Sequence, residues 1–81
     1  MKEKLRYNVI LRPEPEGGFT VVVPGLLGCI TYGKDLQEAR NMAIDAIKGY
    51  IISLRKHKEP VPTDDEYFFT AVEVEKTKVH A

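Results

Sequence analysis

Hydrophobic residues recur at every second position in the first third of the chain. From Leu36 they switch to helical spacing. In the opening run, Leu5, Tyr7, Val9 and Leu11 share one face, and Arg6, Asn8, Ile10 and Arg12 share the other. A period of two predicts a half-buried strand. Pro13 to Gly18 ends it as a hairpin loop, because proline cannot donate to a ladder and paired glycines tolerate positive φ. Phe19 to Val23 is rich in aromatic and β-branched residues and predicts a second strand. Pro24-Gly25 suits the central positions of a type II turn. Cys29 to Tyr32 predicts a short third strand, antiparallel to the second.

The helical stripe from Leu36 runs through Ala39, Ala43, Ile47, Tyr50 and Leu54, with Ile44 and Ile51 beside it. Asp35 is a good N-cap, and Glu38 three residues later completes a capping-box pattern. Gln37, Asn41, Asp45, Lys48 and Lys56 fall on the outer face. Arg55 to Lys58 crowd cations at the end that the helix dipole favours for them. Gly49, inside the helix, costs about 1 kcal/mol relative to alanine; a close approach to the sheet and simple drift both account for it. Pro60-Val61-Pro62 ends the helix as an extended connector. A polar loop, Thr63 to Glu66, leads to a fourth strand, Tyr67 to Val74, by composition. The remainder reads as a polar tail.

The expected order is therefore β-β-β-α-β, an α+β two-layer sandwich. Its sheet is mostly antiparallel, and its single helix packs on one face. The last strand follows a helix, so a right-handed crossover would set it parallel to a neighbour. The 81 residues make one domain, with a core over about 4–75 and a tail at 76–81. One sheet face, carrying Val22, Ile10 and one side of Tyr67 to Val74, is left without a layer. That apolar face, and the small core of so short a chain, predict a dimer or tetramer.

Composition removes several classes of function. Twelve Lys and Arg balance twelve Asp and Glu, so the chain lacks the basic excess of a dedicated nucleic-acid binder. Lys2, Lys4, Arg6 and Arg12 do cluster near the start, but only Tyr7 offers a stacking platform among them. Cys29 is the single cysteine, which excludes an internal disulfide and a cysteine zinc cage. No apolar run approaches the roughly 20 residues of a membrane span. The charged start has no signal-peptide character, and a cytoplasmic protein is expected.

Catalytic patterns are scarce. His57 and His80 lie at a helix end and in the tail, and His57 is expected as a helix-end cation. Ser53 sits mid-helix and is the only serine. Cys29 has no base near it in sequence and reads as a buried thiol. The first strand holds no acid of the kind that two-metal nucleases place there. No catalytic residue, cofactor or metal is expected.

The stretch Val23-Pro24-Gly25-Leu26-Leu27-Gly28-Cys29-Ile30-Thr31-Tyr32-Gly33-Lys34-Asp35-Leu36-Gln37-Glu38-Ala39 resembles the HicB-like antitoxin family. So do Tyr7, the loop ending Gly17-Gly18-Phe19, and Pro60-Val61-Pro62. The chain departs from the family pattern at Gly25, Leu27 and Lys34. The resemblance implies a partial ribonuclease-H-like fold and a non-catalytic protein that binds and neutralises a small RNA-cleaving HicA-type toxin. Family members that bind DNA do so through an added C-terminal domain. Only seven residues follow Val74, so no such domain and no direct DNA binding are expected. Two other readings stay open: a stand-alone homo-oligomeric module for nucleic acid or a small ligand, and a divergent metal nuclease.

Charge suggests where a toxin would bind. Residues 59–75 contain Glu59, Asp64, Asp65, Glu66, Glu73 and Glu75 and no Lys or Arg, a local charge of −6. A protein that cleaves RNA presents positive charge to phosphates. An inhibitor gains on-rate by presenting negative charge in their place. Asp64, Asp65 and Glu66, with Tyr67, are therefore the expected partner-binding residues; the alternative is a solvated loop, since acidic turns are common.

Overall fold

The computed structural model describes residues 4–65 and 67–78. Three strands, β1 (Ile10–Pro13), β2 (Phe19–Val22) and β3 (Ile30–Gly33), precede one helix, α1 (Leu36–Lys56), and a final 3-10 turn covers Lys76–Lys78. The sheet order is β1-β2-β3, and both pairings are antiparallel. The helix packs on one face, so the architecture is α+β in two layers.

Register explains which side is covered. Leu11, Val21 and Thr31 form one cross-strand row, and Ile10, Val22 and Ile30 form the next. Successive rows point to opposite faces. The first row meets the helix: Val21 is fully buried against Ala39 and Ala43, with Val9, Leu11 and Phe19 around them. A second cluster, Val23, Leu26 and Cys29, packs under Tyr7, Ala46, Ile47 and Tyr50. The second row lies on the open face, where Ile10, Ile30 and Tyr32 are about half exposed or more.

Alanine at 39 and 43 lets the helix lie close on the sheet. Gly33 is the other half of that contact, since a Cβ there would run into the Ala39 backbone. Asp35 caps the helix by accepting from Glu38 N–H at 2.8 Å, while the Glu38 carboxylate accepts from Lys34 N–H. At the far end His57 is the C-cap, with its ring Nδ1 2.8 Å from the Ser53 carbonyl. Lys58 follows with φ +58. Its N–H donates to the Arg55 carbonyl, and Glu59 N–H donates to the Leu54 carbonyl. That pair of bonds is a Schellman closure built on a lysine.

Three local expectations change. The first strand begins at Ile10, although Val9 and Leu11 keep the inward parity read from the sequence. Gly25 has no positive φ, so Pro24-Gly25 is not a type II turn. The positive-φ glycine is Gly28, in the next turn, where Cys29 N–H donates to the Leu26 carbonyl. Finally, Tyr67 to Val74 takes no place in the sheet. Phe68, Val72 and Val74 are 95%, 83% and 77% exposed. A strand forms only against a partner edge, and among the described residues this segment pairs with none.

Candidate partner-binding site

The acidic loop is held from below. After the helix, Pro60 to Pro62 brings the chain back to the N-terminal segment, where the Tyr7 hydroxyl donates to the Pro62 carbonyl. Two residues on, Asp64 turns inward and is only 5% exposed. Its Oδ2 accepts from the Asn8 backbone N–H at 2.7 Å and from Asn8 Nδ2 at 3.1 Å. Among the described residues its Oδ1 has no hydrogen-bond partner, and it faces Gly25, where a Cβ would collide with the carboxylate. Tyr67 N–H donates to the Asp64 carbonyl at 3.1 Å.

Of the residues expected to face a partner, Asp64 therefore ties the loop to the body. Asp65 is exposed and Tyr67 is 56% exposed. Glu66 lies outside the described residues. A small pocket of about 250 Å³ opens between Arg6, Asn8, Asp64, Asp65, Tyr67 and Phe69. Partial burial raises the pKa of the Tyr7 phenol above its ordinary value, and the negative charge of Asp64 adds to this. Its proton is thus retained for the bond to Pro62.

Asn8 and Gly25 are the residues that sequence reading missed. Asn8 reads as an outward strand residue and Gly25 as a turn residue. Neither pattern signals a carboxylate from the far end of the chain. Elsewhere, Cys29 is buried and free, and desolvation raises its thiol pKa. Among the described residues no group of three or more His, Cys, Asp or Glu comes together, and no helix is long and apolar enough to cross a membrane. His80 lies outside the described residues.

Comparison with known proteins places this arrangement in a family. The family model described as HicB-like antitoxin of bacterial toxin–antitoxin systems matches residues 7–77. A UPF0150 protein of Thermoplasma acidophilum is 43% identical over 61 residues, covering 75% of this chain and 88% of the relative. A UPF0150 protein of Synechocystis is 38% identical over 64 residues, covering 79% and 81%.

Proposed function

This chain belongs to the HicB-like antitoxin family, and on that premise we propose that it is a non-catalytic, cytoplasmic antitoxin that neutralises a small RNA-cleaving HicA-type toxin. The observation that carries the binding mode is the Asp64–Asn8 tie. It fixes the root of a loop whose neighbouring carboxylates, Asp65 and Glu66, have no basic residue near them in sequence. An acidic segment anchored at Asp64 complements an RNA-cleaving surface in sign.

The non-catalytic reading is supported by the state of the candidate groups. The Asp64 carboxylate already serves Asn8, and the Cys29 thiol is buried and held protonated. Homo-oligomerisation belongs to the same proposal, since the open sheet face carries the Ile10, Val22 and Ile30 row.

The test is inhibition of a HicA-type ribonuclease encoded beside this gene. The intact protein should abolish RNA cleavage at stoichiometric amounts. The Asp65→Lys, Glu66→Lys variant should associate at least tenfold more slowly at low salt and keep its helical circular dichroism. Undiminished cleavage in the presence of excess protein would refute the antitoxin reading. Unchanged association of the charge-reversed variant would move the contact surface away from this loop.

A further inference from the structure

We propose that the segment Tyr67 to Val74 is an exchanged strand, which fills the groove between α1 and the N-terminal segment of a second copy of this chain. The inference deepens the homo-oligomer reading and does not depend on a toxin.

The groove comes from a mismatch of lengths. The 21-residue helix is about 30 Å long, whereas a four-residue strand reaches about 13 Å. The second half of α1 therefore overhangs the sheet. The turn of Val23, Leu26 and Cys29 packs under Ala46, Ile47 and Tyr50 on one side of it, and on the other side, between α1 from Arg40 to Arg55 and the chain from Lys4 to Leu11, a groove of about 1110 Å³ is left. Its apolar floor includes Leu5, Leu11, Ile47 and Ile51, and Ile44 and Ile52 stand at the side, 47% and 66% exposed. Its charged lining is Lys4, Arg6, Arg40, Lys48 and Arg55, with no carboxylate. Among the described residues the only ion pair is Arg12–Glu14, so these five cations lack one.

The arm has the opposite chemistry. Tyr67 to Val74 is apolar apart from Thr70 and Glu73, and Glu75 follows. Its alternation puts Phe68, Val72 and Val74 on one side, and those three are the most exposed apolar side chains of the segment. Eight extended residues reach about 26 Å, close to the length of the helix they would lie under. Beta-strand addition of this kind satisfies the arm's backbone on a free edge, while side chains fill the pocket. Among the described residues no strand pairs with the outer edge of β1.

The root of the arm decides between its own groove and a partner's. Asp64 is fixed to Asn8, and Tyr67 and Phe69 lie beside Arg6. The arm thus passes the N-terminal segment in the direction opposite to β1, and its Phe68, Val72 and Val74 side chains stay exposed rather than packed on its own body. The molecule measures 52 × 30 × 24 Å with a radius of gyration of 15.9 Å, where a compact chain of this length has about 12 Å. Two copies related by a twofold axis would each receive the other's arm, a closed and self-complementary exchange.

Light scattering at micromolar concentration should give twice 9.2 kDa. The Phe68→Asp, Val72→Asp variant should give a single mass while keeping its helical signal. Arg40→Glu with Lys48→Glu should weaken the dimer at least tenfold, and adding Glu73→Lys with Glu75→Lys should restore it. Placement is read with a spin label on Val74→Cys, mixed with isotope-labelled chains that carry no spin label. Broadening of α1 amides in those chains is the expected result. A monomeric wild-type mass would overturn both the exchange and the homo-oligomer. A dimer that survives the arm variant, or α1 amides in the isotope-labelled chains that stay unbroadened, would overturn the exchange alone.

Discussion

The Asp64 carboxylate occupies the space where a Cβ on Gly25 would sit. The glycine is there because of that side chain, since its own φ is not positive. Gly25→Ala should destabilise the fold by about 1–3 kcal/mol, the usual cost of overpacking. Asp64→Ala should cost about 1–3 kcal/mol, because it leaves the Asn8 donors unpaired. The double variant should cost less than the two single changes together, because removing the carboxylate makes room for the methyl group. Urea unfolding followed by circular dichroism measures all three. Additivity within about 0.5 kcal/mol would mean that the two residues do not interact.

Lys58 holds a left-handed conformation, φ +58, that glycine adopts without strain. Lys58→Gly should therefore raise stability by about 1 kcal/mol, and Lys58→Val should lower it. Thermal melts of the three proteins decide the point. Equal midpoints for lysine and glycine would contradict the Schellman geometry.

Gly49 calls for the reverse exchange. Nothing lies within 4 Å of a Cβ built at this position, and the residue is exposed. Of the two explanations for a mid-helix glycine, close approach to the sheet is thus removed. Gly49→Ala should stabilise by about 1 kcal/mol through helix propensity alone. A loss of stability would reveal a contact at that position in the assembled protein.

Cys29 should resist alkylation. It is 5% exposed, and burial holds its thiol pKa above the ordinary value. At mildly alkaline pH the folded protein should react with iodoacetamide at least tenfold more slowly than the protein in urea. Equal rates would place the thiol in solvent.

Glu14 supplies a pH signature. The Thr20 hydroxyl, and then Arg12, hold its carboxyl below the ordinary carboxylate range. A depressed pKa stabilises the fold fully above that range, and the contribution is lost as pH falls through the lowered value. The stability difference between the wild type and Glu14→Gln should be present at neutral pH and vanish in strong acid. A difference independent of pH would assign it to packing.

Local sequence was enough for the element order of the sheet and helix. Alternation set the inward parity of Val9 and Leu11, and Asp35 with Glu38 marked where the helix starts. These signals are short-range, because strand parity and capping depend on neighbours a few residues apart. The family resemblance was equally legible, since it rests on turn and cap residues. Three features were decided only by tertiary structure. Asp64 reads as one of several loop acids, yet it turns inward, because Asn8 and Gly25 make a site for it. Gly25 reads as a turn glycine, yet it lacks positive φ and instead makes room for a distant carboxylate. Tyr67 to Val74 has the composition of a strand, but strand formation needs an edge to pair with, and that edge is not a property of the segment.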